Sequence, residues 1–309
     1  MKPKIIVLTG PTASGKTALS LKLANSVLRG KAEIISADSR QVYRGLNIGT
    51  GKVRLKNGRA AGIPHDLIDV ASPRRTFTVA QYLKLANAAI KKILKNSKIP
   101  FIVGGTGFYI ESLLAGNSPP QVKPNLELRK GLEKLSTEKL YKKLKQADPR
   151  RAKTIDRHNK RRLIRALEII ESLGHVPPLP RRDPPAERAG RLGERSLILG
   201  LKLPDQTLRQ RINRRVDTRL AGIIKEVKTL RQAQGMSWKR LINFGLEYRF
   251  VSWYLQGKLP KEEALEKLKI AIWQFARRQY TYLKRLPVLL IRDQPQAENK
   301  IKKFLEDKS

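Results

Sequence analysis

Residues 10–17 read GPTASGKT, directly behind the apolar run IIVL at 5–8 and ahead of the helix-like stretch TALSLKLANSVL at 17–28. A glycine, four residues, then Gly15, Lys16 and Thr17 make a complete P-loop, and its place between a strand and a helix is the context such a loop requires. The backbone of Gly10, Pro11, Thr12, Ala13, Ser14 and Gly15 then wraps an anion, with N–H groups and a helix N-terminus facing its oxygens. Lys16 neutralises the terminal phosphates, and the Thr17 hydroxyl is the candidate ligand for a Mg2+ that bridges two phosphate oxygens. The alternative is a glycine-rich turn that merely joins two elements, and it leaves the eight-position match unexplained. ATP-binding proteins use the same motif, so it specifies phosphate and leaves the nucleotide open.

Four more short apolar runs read as strands: EIISAD at 33–38, LIDV at 67–70, PFIVGGTG at 100–107 and SLILGL at 196–201. Helical patterns at 16–28 and 78–96 lie among them, so the chain alternates as a βαβ protein does. The expected fold class is α/β, a P-loop parallel-sheet core flanked by helices. Its functional loops belong at the carboxyl ends of the strands, at 10–17, 38–41 and 104–107. From Pro119 the pattern turns to charged helices, with a Pro- and Arg-rich segment at 177–195, which predicts a helical insertion domain. The expected organisation is core residues 1–118, insertion 119–195 and core 196–309. Long amphipathic helices and a last strand-like run, PVLLI at 287–291, complete the second part of the core.

Charge points to the partner. Lys and Arg number 65 against 26 Asp and Glu, a formal net of +39, which favours association with a polyanion, a nucleic acid above all, over a merely basic solubility adaptation. The excess is spread along the chain, 19 basic to 5 acidic over residues 1–120, 21 to 10 over 121–200 and 25 to 11 over 201–309, so it does not by itself locate a face. The chain has no cysteine, which excludes disulfides and thiolate metal sites, and its three scattered histidines make a zinc site improbable. No apolar stretch is long enough to span a bilayer and the N-terminus has no signal-peptide pattern, so no membrane association and a cytoplasmic location are expected.

Six stretches in order, GPTASGKT, SADSRQVYRGLNIGTGK (36–52), PHDLIDV (64–70), VGGTGFYIESLLAG (103–116), RRLIRALEI (161–169) and ARRQYTYLKR (276–285), resemble the tRNA dimethylallyltransferase family across nearly the whole chain. The resemblance implies a P-loop core with a helical insertion that grips the anticodon arm. It implies that the P-loop holds the diphosphate of dimethylallyl diphosphate while N6 of the adenosine 3′ to the anticodon is alkylated. Diphosphate is then the leaving group, and neutralising its developing charge lowers the barrier to C–O cleavage.

By the same resemblance Asp38 is the general base for the adenine amino group; a helix N-cap or a Mg2+-supporting role is the structural alternative. Thr106 places its hydroxyl at the bridging oxygen, flanked by Gly104, Gly105 and Gly107. Arg211 and Arg215, four apart on one helical face, are candidates for a further diphosphate clamp, Arg211 with a catalytic part beside Lys16. Asp38, Ser39, Arg40, Gln41 and Thr106 lie beside a base taken out of its stack. Arg129, Arg161, Arg162 and Arg165 are the expected tRNA contacts of the insertion, where residues 150–165 hold eight basic groups and one acid. Gly245, Tyr248 and Arg249 occupy a further tRNA-contacting segment, and a monomer is expected. Two departures stand out: GTGKV at 49–53 where relatives commonly have GTAKP, and GLEYR at 245–249 in place of a Gly-Tyr-Arg/Lys pattern. Competing readings are a P-loop small-molecule kinase, an isopentenyltransferase acting on free adenylate, and an RNA-binding NTPase. The first leaves VGGTGFY unexplained and the second needs no arm-sized insertion.

Overall fold

The computed structural model describes residues 4–116, 120, 122–177, 196–284 and 286–307. The chain divides into two units, Met1–Gly116 with Gly190–Ser309, and Asn117–Ala189. In the first unit seven strands form one sheet: β1 (Ile5–Thr9), β2 (Ala32–Ser36), β3 (Arg59–Ala60), β4 (Ile63–Asp66), β5 (Ile99–Gly104), β6 (Ser196–Leu201) and β7 (Leu289–Ile291), in the order β3-β4-β2-β5-β1-β6-β7. All pairings are parallel except β3 with β4, a short antiparallel hairpin at one edge. The continuous apolar runs follow from burial on both faces. Ile5 and Val7 of β1 face one core while Ile6 and Leu8 face the other.

Helices α1 (Lys16–Asn25), α2 (Val79–Lys95) and α3 (Gly107–Leu114) follow β1, β4 and β5. In α2 the start is set by a capping box, in which Thr78 accepts from the N–H of Gln81 and the Gln81 side chain accepts from the N–H of Thr78. Its apolar stripe, Tyr82, Leu83, Ala86, Ala89, Ile90 and Ile93, closes one face of the sheet together with Tyr109, Ile110 and Leu113 of α3.

The Asn117–Ala189 unit contains α4 (Leu126–Glu133), α5 (Thr137–Ala147), α6 (Pro149–Ala152) and α7 (Lys160–Leu173), with no strand among its described residues. It has its own apolar centre of Leu132, Leu140, Leu144, Leu163, Ile164 and Ile169. The Pro- and Arg-rich segment expected at 177–195 lies, from 178 on, outside the described residues. In the remainder of the first unit come α8 (Asp205–Gln232), α9 (Trp238–Ile242), α10 (Leu246–Leu255), α11 (Lys261–Leu283) and α12 (Gln294–Glu306). The last of these joins α1 on the second face of the sheet through Ala297 and Ile301.

One expected strand is displaced. Residues 67–70 are not extended, because Leu67 (φ 64) and Asp69 (φ 58) are left-handed, and the strand is β4, just upstream. The apolar look of LIDV reflects a buried turn: Leu67 packs into the core, and Asp69 accepts an ion pair from the almost fully buried Lys52.

Candidate active site

Because β5 lies between β1 and β2, the loops leaving the carboxyl ends of these three parallel strands meet. The loop after β1 is shaped by Gly10 (φ 153), Ala13 (φ 61) and Gly15 (φ 97), the middle one a conformation that alanine adopts only under strain. It closes around the Pro11 carbonyl, which accepts from the Ser14 N–H (3.3 Å), the Ser14 hydroxyl (2.9 Å) and the Lys16 ammonium (2.6 Å). Burial lowers the Lys16 pKa to about 8, against an opposing pull from Asp38, and Arg215 lowers it further. The ammonium is thus held poorly solvated at the mouth of the loop, where an anion would stabilise its charge.

From α8, Arg211 Nη1 donates to the Ser14 carbonyl (3.1 Å), and Arg215 donates to Thr12 Oγ1 (3.4 Å) and to the Thr50 carbonyl (3.2 Å). Both guanidinium groups therefore border the P-loop and have donors left over for an anion. Gln279 of α11 ties this loop to the next: its Oε1 accepts from the Thr12 N–H (2.8 Å) and its Nε2 donates to the Gly105 carbonyl (2.8 Å).

The glycines of VGGTGFY are needed for close approach, not for backbone angle, since Gly104, Gly105 and Gly107 all have ordinary φ. A Cβ on Gly104 would lie 2.2 Å from the Ala37 carbonyl oxygen, one on Gly105 2.7 Å from Gln279 Nε2, and one on Gly107 2.1 Å from the Tyr282 ring. That proximity brings Thr106 onto the loop after β2. Its N–H donates to the Ala37 carbonyl (3.1 Å), and its hydroxyl oxygen accepts from the Ser39 N–H (3.0 Å). Asp38 Oδ1 caps the following turn, accepting from the N–H groups of Arg40 (2.8 Å) and Gln41 (3.3 Å). The turn-capping alternative for Asp38 is therefore satisfied by one oxygen. The other bears no protein hydrogen bond among the described residues and is available as a proton acceptor. A cationic anion cradle beside a half-exposed carboxylate and a hydroxyl suits the departure of an anionic leaving group coupled to loss of a proton.

The IPP transferase family model matches residues 41–286. The chain is 42% identical over 294 residues to tRNA dimethylallyltransferase 1 of Syntrophus aciditrophicus, covering 93% of this chain and 91% of that protein. It is 40% identical to the tRNA dimethylallyltransferase of Anoxybacillus flavithermus, covering 93% and 90%. The chain belongs to the tRNA dimethylallyltransferase family. Among solved structures of this family, the tRNA isopentenylpyrophosphate transferase of Bacillus halodurans matches with a TM-score of 0.69 at 33% identity, over 99% of this chain and 97% of that one. A eukaryotic dimethylallyltransferase acting on tRNA matches with a TM-score of 0.75 at 26% identity, over 98% and 77%.

In this dimethylallyltransferase family member, Gly10, Pro11, Thr12, Ala13, Ser14, Gly15, Lys16 and Thr17 follow the carboxyl end of β1, Asp38, Ser39, Arg40 and Gln41 that of β2 and Thr106 that of β5, while Arg211 and Arg215 reach the first of these loops from α8. Arg161 and Arg162 stand exposed in the first turn of α7. Three of the expected tRNA contacts have other occupations. Arg129 and Arg165 converge on the buried Glu168, Arg129 through paired bonds of 2.8 Å, while Arg165 also reaches the Val122 carbonyl (2.9 Å). Burial by itself would raise the Glu168 pKa, but these arginines and the Asn125 N–H outweigh it and hold the carboxyl below its ordinary range. Both arginines thus support the helical unit. Tyr248 is corrected most firmly: its side chain is buried and its hydroxyl donates to Glu226 Oε1 (2.7 Å), so it presents no surface to RNA. Gly245 (φ 153) begins α10, and Arg249 lies over the Trp253 ring.

Sequence reading missed two residues. Gln279 lies within the quoted ARRQYTYLKR but carries no charge to mark it. Glu226 accepts from the N–H groups of Asn47, Ile48 and Gly49 as well as from Tyr248, and so holds loop 47–49 against α8.

Proposed function

We propose that this chain transfers the dimethylallyl group of dimethylallyl diphosphate to N6 of the adenosine on the 3′ side of the anticodon in tRNA, releasing diphosphate. The observation that carries the reading is the meeting of Asp38 and Thr106 with the P-loop and its bordering arginines. N6 attacks the allylic carbon, the C–O bond to the diphosphate breaks, and the N6 proton passes to the free oxygen of Asp38. Lys16, Arg211, Arg215 and the loop N–H groups take up the charge that grows on the leaving oxygens, an interaction stronger in the transition state than before it. The Thr106 hydroxyl, at hydrogen-bonding distance from the Ser39 N–H, orients the bridging oxygen toward departure.

Mg2+ suits this site. Thr17 is exposed at the start of α1, directly behind the anion cradle, and its hydroxyl would be the protein ligand of a Mg2+ otherwise held by phosphate oxygens. When bound, it would neutralise diphosphate charge.

Arg40, Arg161 and Arg162, all exposed, supply phosphate contacts to the tRNA, consistent with the net charge of +39. No described helix is long and apolar enough to cross a membrane. A cytoplasmic monomer agrees with a tRNA substrate and the lack of cysteine. The test is to incubate purified protein with unmodified tRNA and dimethylallyl diphosphate, digest the RNA, and seek N6-dimethylallyladenosine by mass spectrometry. Turnover of ATP with no prenylated nucleoside would favour the kinase or NTPase reading instead.

A further inference from the structure

The donor site holds one arginine that the reading above leaves without a task. Arg219 stands four residues beyond Arg215, so Arg211, Arg215 and Arg219 run along one face of α8. It reaches the site over Gly51 (φ 64), where an added Cβ would lie 2.3 Å from Arg219 Nη1 and 2.6 Å from Arg215 Nη2. Two guanidinium groups thus share the space above a single glycine. Arg219 Nη1 is buried and has no hydrogen-bond partner. A buried cationic donor left unpaired beside a second cation is costly, and an anion arriving there would satisfy it. Burial, then Arg215, pulls the Arg219 pKa below the usual arginine value, and Glu247 pulls the other way.

One departure from the family pattern lies here: GTGKV supplies Gly51, which leaves room for Arg219. We propose that Arg219 is a third donor-binding arginine, its Nη1 kept for an oxygen of the diphosphate. The assignment rests on the P-loop holding the donor diphosphate.

Inorganic pyrophosphate titrated calorimetrically into the full chain tests it, with Arg219→Gln, Arg219→Lys and Lys16→Met, each checked for folding by urea melting. Arg219→Gln should weaken pyrophosphate roughly 10- to 100-fold, the scale of one charged hydrogen bond, and Arg219→Lys should recover part of the loss. Wild-type affinity in folded Arg219→Gln would overturn the arginine's role. Should Lys16→Met lose pyrophosphate while Arg219→Gln keeps it, this inference alone fails. Should neither change matter, the donor reading fails with it.

Discussion

Replacing Lys16 with Met should make the protein more stable and unable to bind its donor. Bringing the Lys16 pKa from 10.5 to about 8 means that the fold disfavours the charged ammonium by about 3 kcal/mol, at about 1.36 kcal/mol per factor of ten. The sign follows from proton uptake. Between pH 8 and 10.5 the unfolded chain binds the proton and the folded chain does not, so folded-state stability rises with pH across that window. The penalty is therefore complete below pH 8 and gone above 10.5. Lys16→Met should gain up to about 3 kcal/mol at pH 7, less what the bond to the Pro11 carbonyl contributes, and the gain should fade as pH climbs. Donor binding runs the other way. A diphosphate needs the ammonium charged, so wild-type affinity for pyrophosphate should fall by as much as tenfold per pH unit above 8, with proton uptake on binding, and Lys16→Met should lose both the affinity and the slope. Urea melts and calorimetry in buffers of different ionisation enthalpy, from pH 7 to 10, measure the two effects. A destabilised Lys16→Met, or a wild-type affinity flat across that range, would refute the argument.

Asp38→Asn should cut single-turnover transfer roughly 100- to 10,000-fold at saturating substrates while sparing pyrophosphate affinity; full rescue by added Mg2+ would remove the carboxylate from proton transfer. Changing Arg161 and Arg162 to Ala should reduce the log-log salt slope of tRNA binding by roughly 0.9 for each lost phosphate contact on duplex regions, and an unchanged slope would move the RNA face elsewhere. Arg165→Ala should instead lower thermal stability, because it removes one of the two cations on buried Glu168. Gly107→Ala, which drives a methyl into the Tyr282 ring, should cost roughly 1–3 kcal/mol in urea melts, and a neutral outcome would show that the ring has room to move.

What could be read from the chain was what lies contiguous in it. The P-loop is eight successive residues, and a strand buried on both faces announces itself as an unbroken apolar run, as IIVLT does. LIDV at 67–70 shows the limit: apolar content marks burial, and only the backbone reveals that Leu67 and Asp69 turn left-handed. Gln279 was beyond reach because its partners Thr12 and Gly105 lie 267 and 174 residues away. Charge counting likewise could not separate Arg162, exposed on α7, from Arg165, one turn further along and bonded to Glu168. For VGGTGFY the glycines were legible as special, but the reason was not, since close approach depends on Ala37, Gln279 and Tyr282 arriving from elsewhere.

The pairing of β1 with β5 and of β5 with β2 sets Thr9 opposite Gly104 and Val103 opposite Ser36, the last residues before the three loops or one short of them. Neighbouring strands are held about 4.8 Å apart by peptide hydrogen bonds. The interval between the phosphate cradle and the proton acceptor is consequently gauged by main chain, a ruler that side-chain replacement does not redraw. A one-residue slip of β5 against either neighbour would misplace Thr106 and turn every apolar residue of the strand to the wrong face, so the spacing of the site is held by strand register and not by any one side chain.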